Sequence, residues 1–369
     1  MVPIARRNLL AEKTRLLISV GGVAFSVMLI LILWGLYQGF NLVATAYIES
    51  APADIWVSQE GASDMFHGIS LLPTTDRNKL RSMSGVSYAY RLVGRQVSAE
   101  VKGRDVHVYL MGFDTKNDIG GPIRMVEGSS QPEEGQIIVD RVFARNNGLK
   151  MGDTITILDE DFEIVGISEK GNVMLYQYAF IPMDQAVRLL GMSGLSNFYL
   201  VGLEEGADPG KISQRIEDRI GGAEAWPKGE WMASNRKMVD DTFLPIILVL
   251  LVIGFMVGVA VIGLTIYTAT VEQSREYGVL KAIGATNWKL YGIVFKQAIL
   301  AGLLGYVLGA ALALVINMVA EDFAPIFVTN LGPTDLVGVL LLSLVMSLLA
   351  SYIPVRRVVS IDPAMVFRA

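Results

Sequence analysis

Residues 16–48 read LLISVGGVAFSVMLILILWGLYQGFNLVATAYI and contain no Asp, Glu, Lys or Arg. A helix needs about 20 consecutive apolar residues to cross the hydrocarbon core of a bilayer, so this stretch is long enough to span a membrane. Three further uncharged stretches of sufficient length lie at Thr242–Val271, Gln297–Ala320 and Leu336–Val355. The sequence therefore predicts a membrane protein with four transmembrane helices.

Basic residues beside the predicted helices indicate the orientation of the chain. They lie before the first helix, between the second and third, and after the fourth, at Arg6, Arg7, Lys13, Arg15, Arg275, Lys281, Lys289, Lys296, Arg356, Arg357 and Arg368. The connection between the third and fourth helices contains Glu321, Asp322 and Asp335 but no Lys or Arg. Because basic residues favour the cytoplasmic side, we expect both termini to be cytoplasmic.

This orientation assigns each part of the chain to a compartment. The predicted segments are an amphipathic cytoplasmic N-terminal segment (1–15), the first transmembrane helix (16–48), a large extracytoplasmic domain (49–241), the second transmembrane helix (242–271), a cytoplasmic helix (272–289), the third transmembrane helix (290–320), a short outer loop (321–335), the fourth transmembrane helix (336–355) and a cytoplasmic tail (356–369). We expect a multi-pass protein of the cell (inner) membrane, in contact with membrane lipid.

Charge is distributed unevenly along the chain. Residues 49–241 contain 29 acidic and 20 basic residues, a net charge of −9, whereas the remainder carries +4 of the total of −5. An acidic outer domain disfavours nucleic acid as a partner. The sequence contains no cysteine, so the outer domain must fold without disulfides and no thiol chemistry is available.

The outer domain is predicted to be mixed α/β. Short β-rich runs bounded by Gly, Asp or Pro predict strands at Gln136–Val139, Thr154–Leu158, Glu163–Ile167 and Tyr178–Ile181, with a hairpin turn at Asp159–Asp161. Helical periodicity predicts helices at Met183–Leu190 and Pro209–Ile220. An earlier helix is predicted at Thr75–Met83, with Thr75 as its N-terminal cap.

Residues that commonly carry catalysis or bind metals are sparse. The two histidines, His67 and His107, are far apart in sequence, and there is no zinc motif, no Gly-x-Ser-x-Gly elbow and no nucleotide-binding phosphate loop. The acidic run from Asp159 to Glu163 lacks the spacing of a calcium-binding loop. We therefore predict no catalytic residue, no metal site and no cofactor in this chain.

The predicted membrane helices contain small residues where carriers and channels place ionisable ones. No Asp, Glu, Lys or Arg occurs within the uncharged stretches, which disfavours a path for polar solutes through the bilayer. Glycines recur at helix-packing spacing, which predicts close packing between transmembrane helices at Gly35, Gly39, Gly254, Gly258, Gly302, Gly305 and Gly309.

The most distinctive stretch follows the second transmembrane helix and reads EQSREYGVLKAIGAT, residues 272–286. Its apolar residues from Val279 to Ile283 fit one face of a short helix that Gly284 ends and after which Thr286 begins the next. Such a helix suits docking on another protein, although composition alone is equally consistent with an interfacial turn lying on lipid.

This stretch resembles the REIGVLKAIGAT-like motif of the MacB/FtsX superfamily (type VII) of ABC-transporter permeases, with Tyr277 where the family commonly has Ile or Leu. The termini and the outer domain carry further resemblance, at Ala5–Leu10, Gly148–Thr154, Ile164–Ile167, Phe180–Ala186, Pro354–Arg357 and Asp362–Ala364. No fused nucleotide-binding domain is recognisable, which is similar to the LolC and DevC arrangement. In residues 50–120 we recognise no quotable motif of the family.

The resemblance implies an α-helical membrane protein with four transmembrane helices plus a large mixed α/β extracytoplasmic domain, similar to the MacB-like periplasmic core domain, inserted between helices 1 and 2. Two permease chains, copies or homologues, would pair, and each would dock a separate cytoplasmic ABC ATPase that binds ATP and Mg. The coupling helix would use Glu272, Arg275, Glu276, Gly278, Val279, Leu280, Lys281, Ile283 and Gly284 to contact the ATPase. Residues 39–50 and 231–242 would form a stalk.

The resemblance further implies mechanotransmission, in which ATP hydrolysis by the partner moves the outer domain, most simply to export or extract a substrate with a periplasmic adaptor. The chain itself would then be no enzyme. Two alternatives stay open. One is an FtsX-like regulatory permease that activates a cell-wall hydrolase or a signalling partner; the other is a membrane-anchored binding module or enzyme.

Overall fold

The computed structural model describes residues 13–65, 70–173, 176–323 and 328–359. The chain forms two compact units. The helical unit takes its described residues from Met1–Gly39, Phe243–Ala324 and Thr329–Ala369, and the α/β unit consists mainly of Phe40–Thr242.

The secondary structure follows the division into two units. In chain order the helices are α1 (Lys13–Ser50), α2 (Asp76–Arg81), α3 (Arg141–Asn147), α4 (Met183–Leu189), α5 (Pro209–Arg219), α6 (Lys228–Glu272), α7 (Ser274–Ala282), α8 (Asn287–Phe323) and α9 (Pro333–Val359). The strands are β1 (Ile55–Gln59), β2 (Leu72–Pro73), β3 (Val86–Val101), β4 (Arg104–Phe113), β5 (Arg124–Gly128), β6 (Gln136–Asp140), β7 (Thr154–Ile157), β8 (Glu160–Glu169), β9 (Asn172–Val173), β10 (Tyr176–Pro182), β11 (Leu195–Ser196), β12 (Phe198–Leu203) and β13 (Ala223–Pro227).

Four of these helices, α1, α6, α8 and α9, are long and apolar enough to cross a membrane. The α/β unit lies in sequence between the first and the second of them. The predicted fold class, four transmembrane helices with a mixed α/β domain inserted between helices 1 and 2, is therefore confirmed. Helix α6 also contains Pro245, which removes one backbone donor from the helix near its passage from one unit into the other.

Glycines bring the helices of the helical unit close together. A methyl group at Gly309 on α8 would lie 2.5 Å from the carbonyl oxygen of Ala24 on α1, and one at Gly305 would overlap the side chain of Val23. Since real side chains essentially never come so close, the two backbones can pack at this separation only with glycine at these positions.

The same packing recurs at the other helix pairs. Gly258 on α6 faces Met346 of α9, and Gly302 on α8 faces Ser347 of α9, whereas a methyl group at Gly254 would make an ordinary contact of 3.5 Å with Ile30. Gly39 is buried.

Gly35 differs from the other glycines, because its close neighbour belongs to the connection that precedes α9 and not to a helix. A methyl group there would lie 3.0 Å from Cγ of Leu331, and the Gly35 carbonyl accepts a hydrogen bond of 2.9 Å from the Asn330 amide. Trp34 Nε1 donates to Asp335 Oδ1 at 2.9 Å. The connection is thereby fixed to α1.

The α/β unit has two halves that share the long strand β3. In the first half β1, β3, β12 and β13 form an antiparallel sheet in the order β13-β1-β12-β3. Helices α2 and α5 connect β1 to β3 and β12 to β13, which gives the split β-α-β arrangement of a ferredoxin-like fold. Their apolar faces, with Leu80, Ile212 and Ile216, pack against one side of this sheet.

The second half is inserted between β3 and β12. Its strands pair in the closed cycle β3-β4-β10-β6-β8-β7-β3, so the sheet returns to the strand from which it started. Alternate residues of these strands, among them Val97, Leu110, Val139 and Phe162, form one fully buried core. Closure leaves few free edges on these strands.

Most locally predicted elements of the α/β unit are confirmed. Strands occur at the four predicted places and helices at the three predicted ones, with ends shifted by a few residues. Two details are wrong. Thr75 has helical backbone angles and makes no capping hydrogen bond, whereas a capping residue needs an extended backbone. The hairpin turn lies at Leu158 and Asp159, which both have positive φ, while Asp161 is already in β8.

Replacing Gly309 with Ala tests the close contact of α1 and α8. The added methyl group would push against the Ala24 carbonyl oxygen, so we expect Gly309→Ala to lower the free energy of unfolding by about 1–3 kcal/mol. Gly338→Ala on α9 is the matched control, because a methyl group there meets no atom within 4 Å. Thermal unfolding of the purified chain in detergent, followed by circular dichroism, measures both. Equal melting temperatures for the two variants would contradict this packing.

Candidate functional site

Helix α7 is the predicted coupling helix. It begins directly after α6, with Gln273 between the two helices, and it ends before Gly284, whose φ of +91° is readily accessible only to glycine. The amides of Gly284 and Ala285 donate to the carbonyls of Lys281 and Leu280 at 3.0 and 2.9 Å. The chain then turns into α8.

One side of α7 is fixed to the helical unit. Tyr277 is 2% exposed and belongs to a buried cluster with Leu290 and Val294 of α8, and Leu280 packs against the same cluster. Lys281 Nζ donates a hydrogen bond of 2.6 Å to the carbonyl oxygen of Val359 at the end of α9. The helix is therefore held at two points, through α8 and through α9.

Burial also determines the ionisation of Tyr277. Desolvation, with a smaller contribution from the neighbouring Glu276 carboxylate, raises the pKa of Tyr277 to about 12. The phenol therefore remains neutral at physiological pH, and Tyr277 acts here as a large packing side chain.

The opposite side of α7 is exposed. Arg275, Glu276 and Val279 of α7 are exposed, and so are Glu272 at the end of α6 and Ile283 directly after α7. The exposed fractions of Val279 and Ile283 are 43% and 74%. We call these five residues the coupling surface. It combines apolar side chains with charges of both signs.

The structure thus divides the predicted site residues into two sets. Glu272, Arg275, Glu276, Val279, Ile283 and Gly284 are exposed, whereas Gly278 is buried and Leu280 and Lys281 are half-buried. Lys281, which is predicted to contribute charge to a partner, also donates a hydrogen bond to Val359 within the chain.

Sequence reasoning missed two residues of this region. Tyr277 packs the buried side of α7 against α8. The family commonly has an apolar residue at this position, and this was the signal in the sequence that the side chain is buried. Trp288 opens α8 with 81% of its surface exposed, and its ring lies 5.8 Å from that of Tyr291.

A second group of residues fixes the ends of α1 and α6 in the α/β unit. We call Tyr47, Trp56, Tyr178, Phe198 and Trp231 the aromatic anchor. Tyr47 of α1 donates a hydrogen bond of 2.5 Å to the Gly120 carbonyl, and its ring centroid lies 5.2 Å from that of Tyr178. Trp231 of α6 is fully buried, with ring centroids 5.9 Å from Phe198 and 6.4 Å from Trp56.

Polar contacts complete the attachment of α6. Asn235 Oδ1 accepts a hydrogen bond of 3.1 Å from the Met65 amide, and Ser234 Oγ donates to the Ser63 carbonyl at 2.6 Å. Lys228 Nζ donates to the carbonyl of Ala51, directly after α1, at 2.8 Å. The two helices are therefore linked to the same part of the α/β unit and to each other.

Metal-binding side chains do not cluster in the described part of the chain. Among these residues no group of three or more His, Asp or Glu side chains could hold a metal ion, and His107 is exposed on β4. His67 and the terminal motifs Ala5–Leu10 and Asp362–Ala364 lie outside the described residues.

Two family models match the chain over the regions just described. The model of the MacB-like periplasmic core domain matches residues 16–219, more than half of the chain, and that of the FtsX-like permease C-terminal domain matches residues 248–363, which include α7. The chain belongs to the MacB/FtsX family of ABC-transporter permeases.

Individual relatives of the chain agree with this assignment. The chain is 25% identical over 375 residues to an uncharacterized ABC transporter permease of Mycobacterium tuberculosis (strain CDC 1551 / Oshkosh), covering 100% of this chain and 99% of the relative. It is 23% identical over 279 residues to the macrolide export ATP-binding/permease protein MacB of Salmonella typhi, covering 71% of this chain and 42% of that protein.

A solved structure is also similar to part of the chain. The periplasmic region of MacB from Actinobacillus actinomycetemcomitans is 10% identical, covering 53% of this chain and 96% of that one, with a TM-score of 0.39. Since this score is low, the assignment rests on the family models. The protein is thus a multi-pass membrane permease of the MacB/FtsX type, and an ABC permease acts together with an ATPase.

Truncating Tyr277 tests whether its side chain holds α7 in place. Tyr277→Ala removes a buried ring at a cost of about 3 kcal/mol or more, so we expect faster hydrogen exchange of the amides of α7. Tyr277→Phe keeps the ring and should exchange like the unaltered protein. Trp288→Ala is the control for loss of an exposed ring. Equal protection of α7 in all three variants would show that Tyr277 does not position the helix.

Proposed function

We propose that this chain is the permease subunit of a mechanotransmitting ABC exporter. A separate cytoplasmic ATPase, which binds ATP and Mg, docks on the coupling surface, and its movement is carried to the α/β unit. The orientation that fits this proposal has both termini and α7 in the cytoplasm and the α/β unit outside. The chain itself performs no chemical step.

One observation carries the proposal most strongly. Helices α1 and α6 each contribute residues to both units, and both end in the aromatic anchor of the α/β unit. A hydrogen-bonded helix is a stiff element, so displacement of its membrane segment acts directly on the domain in which its end is buried. No solute path between the helices is required.

The coupling surface supports the cytoplasmic half of this mechanism. Its apolar residues Val279 and Ile283 lie beside Glu272, Arg275 and Glu276, which matches the apolar centre and polar rim of protein interfaces. Because Tyr277 and Lys281 fix the opposite side of α7, force applied by an ATPase reaches α8 and α9 without first bending the helix.

The transported substrate would be handled outside the membrane. The four apolar stretches of the predicted transmembrane helices contain none of the charged residues that a polar pathway needs. Small residues pack the described helices together. A second permease, either a copy of this chain or a homologue, would complete the complex, with a periplasmic adaptor as a further partner.

Ile283→Asp tests the docking step. A carboxylate at the centre of an apolar contact is poorly solvated, so we expect at least a tenfold loss of the ABC ATPase that copurifies with the tagged permease from membranes. Ile283→Leu is the matched control and should retain the ATPase. Because Ile283 is exposed, neither change should lower the melting temperature. Copurification of normal amounts with both variants would refute docking at this surface.

A further inference from the structure

A cleft of about 220 Å³ opens in the α/β unit where its two halves meet. Arg77 of α2 and the neighbours Tyr90 and Arg91 of β3 line it. Phe113 and Met183 from the other half line it as well. The cleft is thus a polar cavity with an apolar wall, of a size that suits one small chemical group.

Within the described part of the chain, the Arg91 side chain makes a single hydrogen bond. Its Nη2 donates to the Leu195 carbonyl at 2.8 Å, and its Nε is buried without a hydrogen-bond partner among the described residues. A guanidinium has five N–H donors, so a half-buried one with an unused donor lacks compensation for the water that it has lost.

Arg77 is in a similar position. Its Nε donates to the Ala89 carbonyl at 2.9 Å, and its guanidinium carbon lies 5.5 Å from the ring centre of Tyr90. Neither arginine forms an ion pair with a residue of the described ranges. Burial lowers the pKa of Arg91, and the nearby charge of Arg77 lowers it further, whereas Tyr199 and Asp184 raise it.

The acidic residues around the cleft offset only part of the charge of this pair. Asp114 Oδ1 accepts hydrogen bonds from the amides of Lys116 and Asn117, in the turn that follows Asp114. Asp76 is paired with Lys79 at 2.7 Å. Asp184 is exposed, while Lys116 adds a further positive charge at the cleft. The cleft lining therefore contains three basic residues, Arg77, Arg91 and Lys116, against two acidic ones, Asp114 and Asp184, an excess of one positive charge.

We propose that Arg77 and Arg91 form a binding site for an anionic oxygen group, a carboxylate or a phosphate, of a small ligand. The planar guanidinium suits such groups because two parallel N–H bonds match two anionic oxygens. Such a group could come from a soluble organic acid or from the head group of a phospholipid. The lining residues lie wholly within the α/β unit, so binding can be measured without the ATPase.

Calorimetry on the full chain in a nonionic detergent, without the ATPase, tests the site with butyrate, glycerophosphate and, as a neutral probe, butanol. We expect saturable binding of at least one anion and none of butanol. Tighter binding of glycerophosphate would assign the head group as the source, and tighter binding of butyrate a soluble acid. The absence of saturable binding by either anion would overturn the proposal.

Variants locate the binding. Arg91→Gln and Arg77→Gln should each weaken it at least tenfold, and Arg91→Lys, which keeps the charge but loses the fork, should weaken it less than Arg91→Gln. Arg95→Gln is the matched control, because Arg95 is an exposed arginine of the same strand. Unchanged melting temperatures establish that the variants fold. An equal loss for Arg95→Gln, or no loss for Arg77→Gln and Arg91→Gln, would contradict a site in this cleft.

Discussion

The burial of Tyr47 and Trp231 in the aromatic anchor is the constraint on which the rest of the structure depends. Each is a large side chain at the end of a helix that also belongs to the helical unit, and each is at most 2% exposed. Removing a buried ring of this size costs about 3–5 kcal/mol, so neither helix end is free to slide or rotate within the α/β unit. The hydrogen bonds of Lys228 and Asn235 fix the register further.

In the helical unit the four long helices are held in place by close backbone contact. Apolar burial gives little drive for association between helices inside lipid, so close backbone contact at small residues has to replace it. Gly305 and Gly309 place α8 against α1, and Gly258 places α6 against α9. A bundle packed in this way moves most readily by rigid displacement of its helices, which suits mechanical transmission better than the opening of a polar channel.

Elements that local sequence signals determine could be predicted, whereas elements that depend on partners distant in the chain could not. The strand at Gln136 and the helix at Pro209 were predictable because local alternation, periodicity and capping signals all agree there. The sixteen-residue strand β3 was not predicted, although it joins both halves of the α/β unit. Its arginines and tyrosines interrupt the simple pattern, and its register depends on partners distant in sequence.

In the candidate site, too, the contacts between distant segments could not be predicted. The motif identified α7 and most of its exposed residues, but the sequence did not show which side of the helix faces the bundle. Tyr277 and Lys281 take their roles from Leu290 and Val359, on other helices. The aromatic anchor and the arginine cleft escaped prediction for a related reason, because both are assembled from segments far apart in the chain, including part of residues 50–120, for which no motif was available.

We expect α1 and α6 to carry motion as stiff elements, and insertion of a flexible segment into each helix tests this expectation. Spin labels on Ser129→Cys, an exposed position of the α/β unit in a cysteine-free chain, report the distance between two permease copies in the complex with the ATPase. We expect ATP and Mg to shift this distance in the otherwise unaltered complex. After insertion of Gly and Ser residues following Asn41 and Asp240, the shift should disappear while ATP hydrolysis continues. The same shift in both complexes would contradict rigid transmission through these helices.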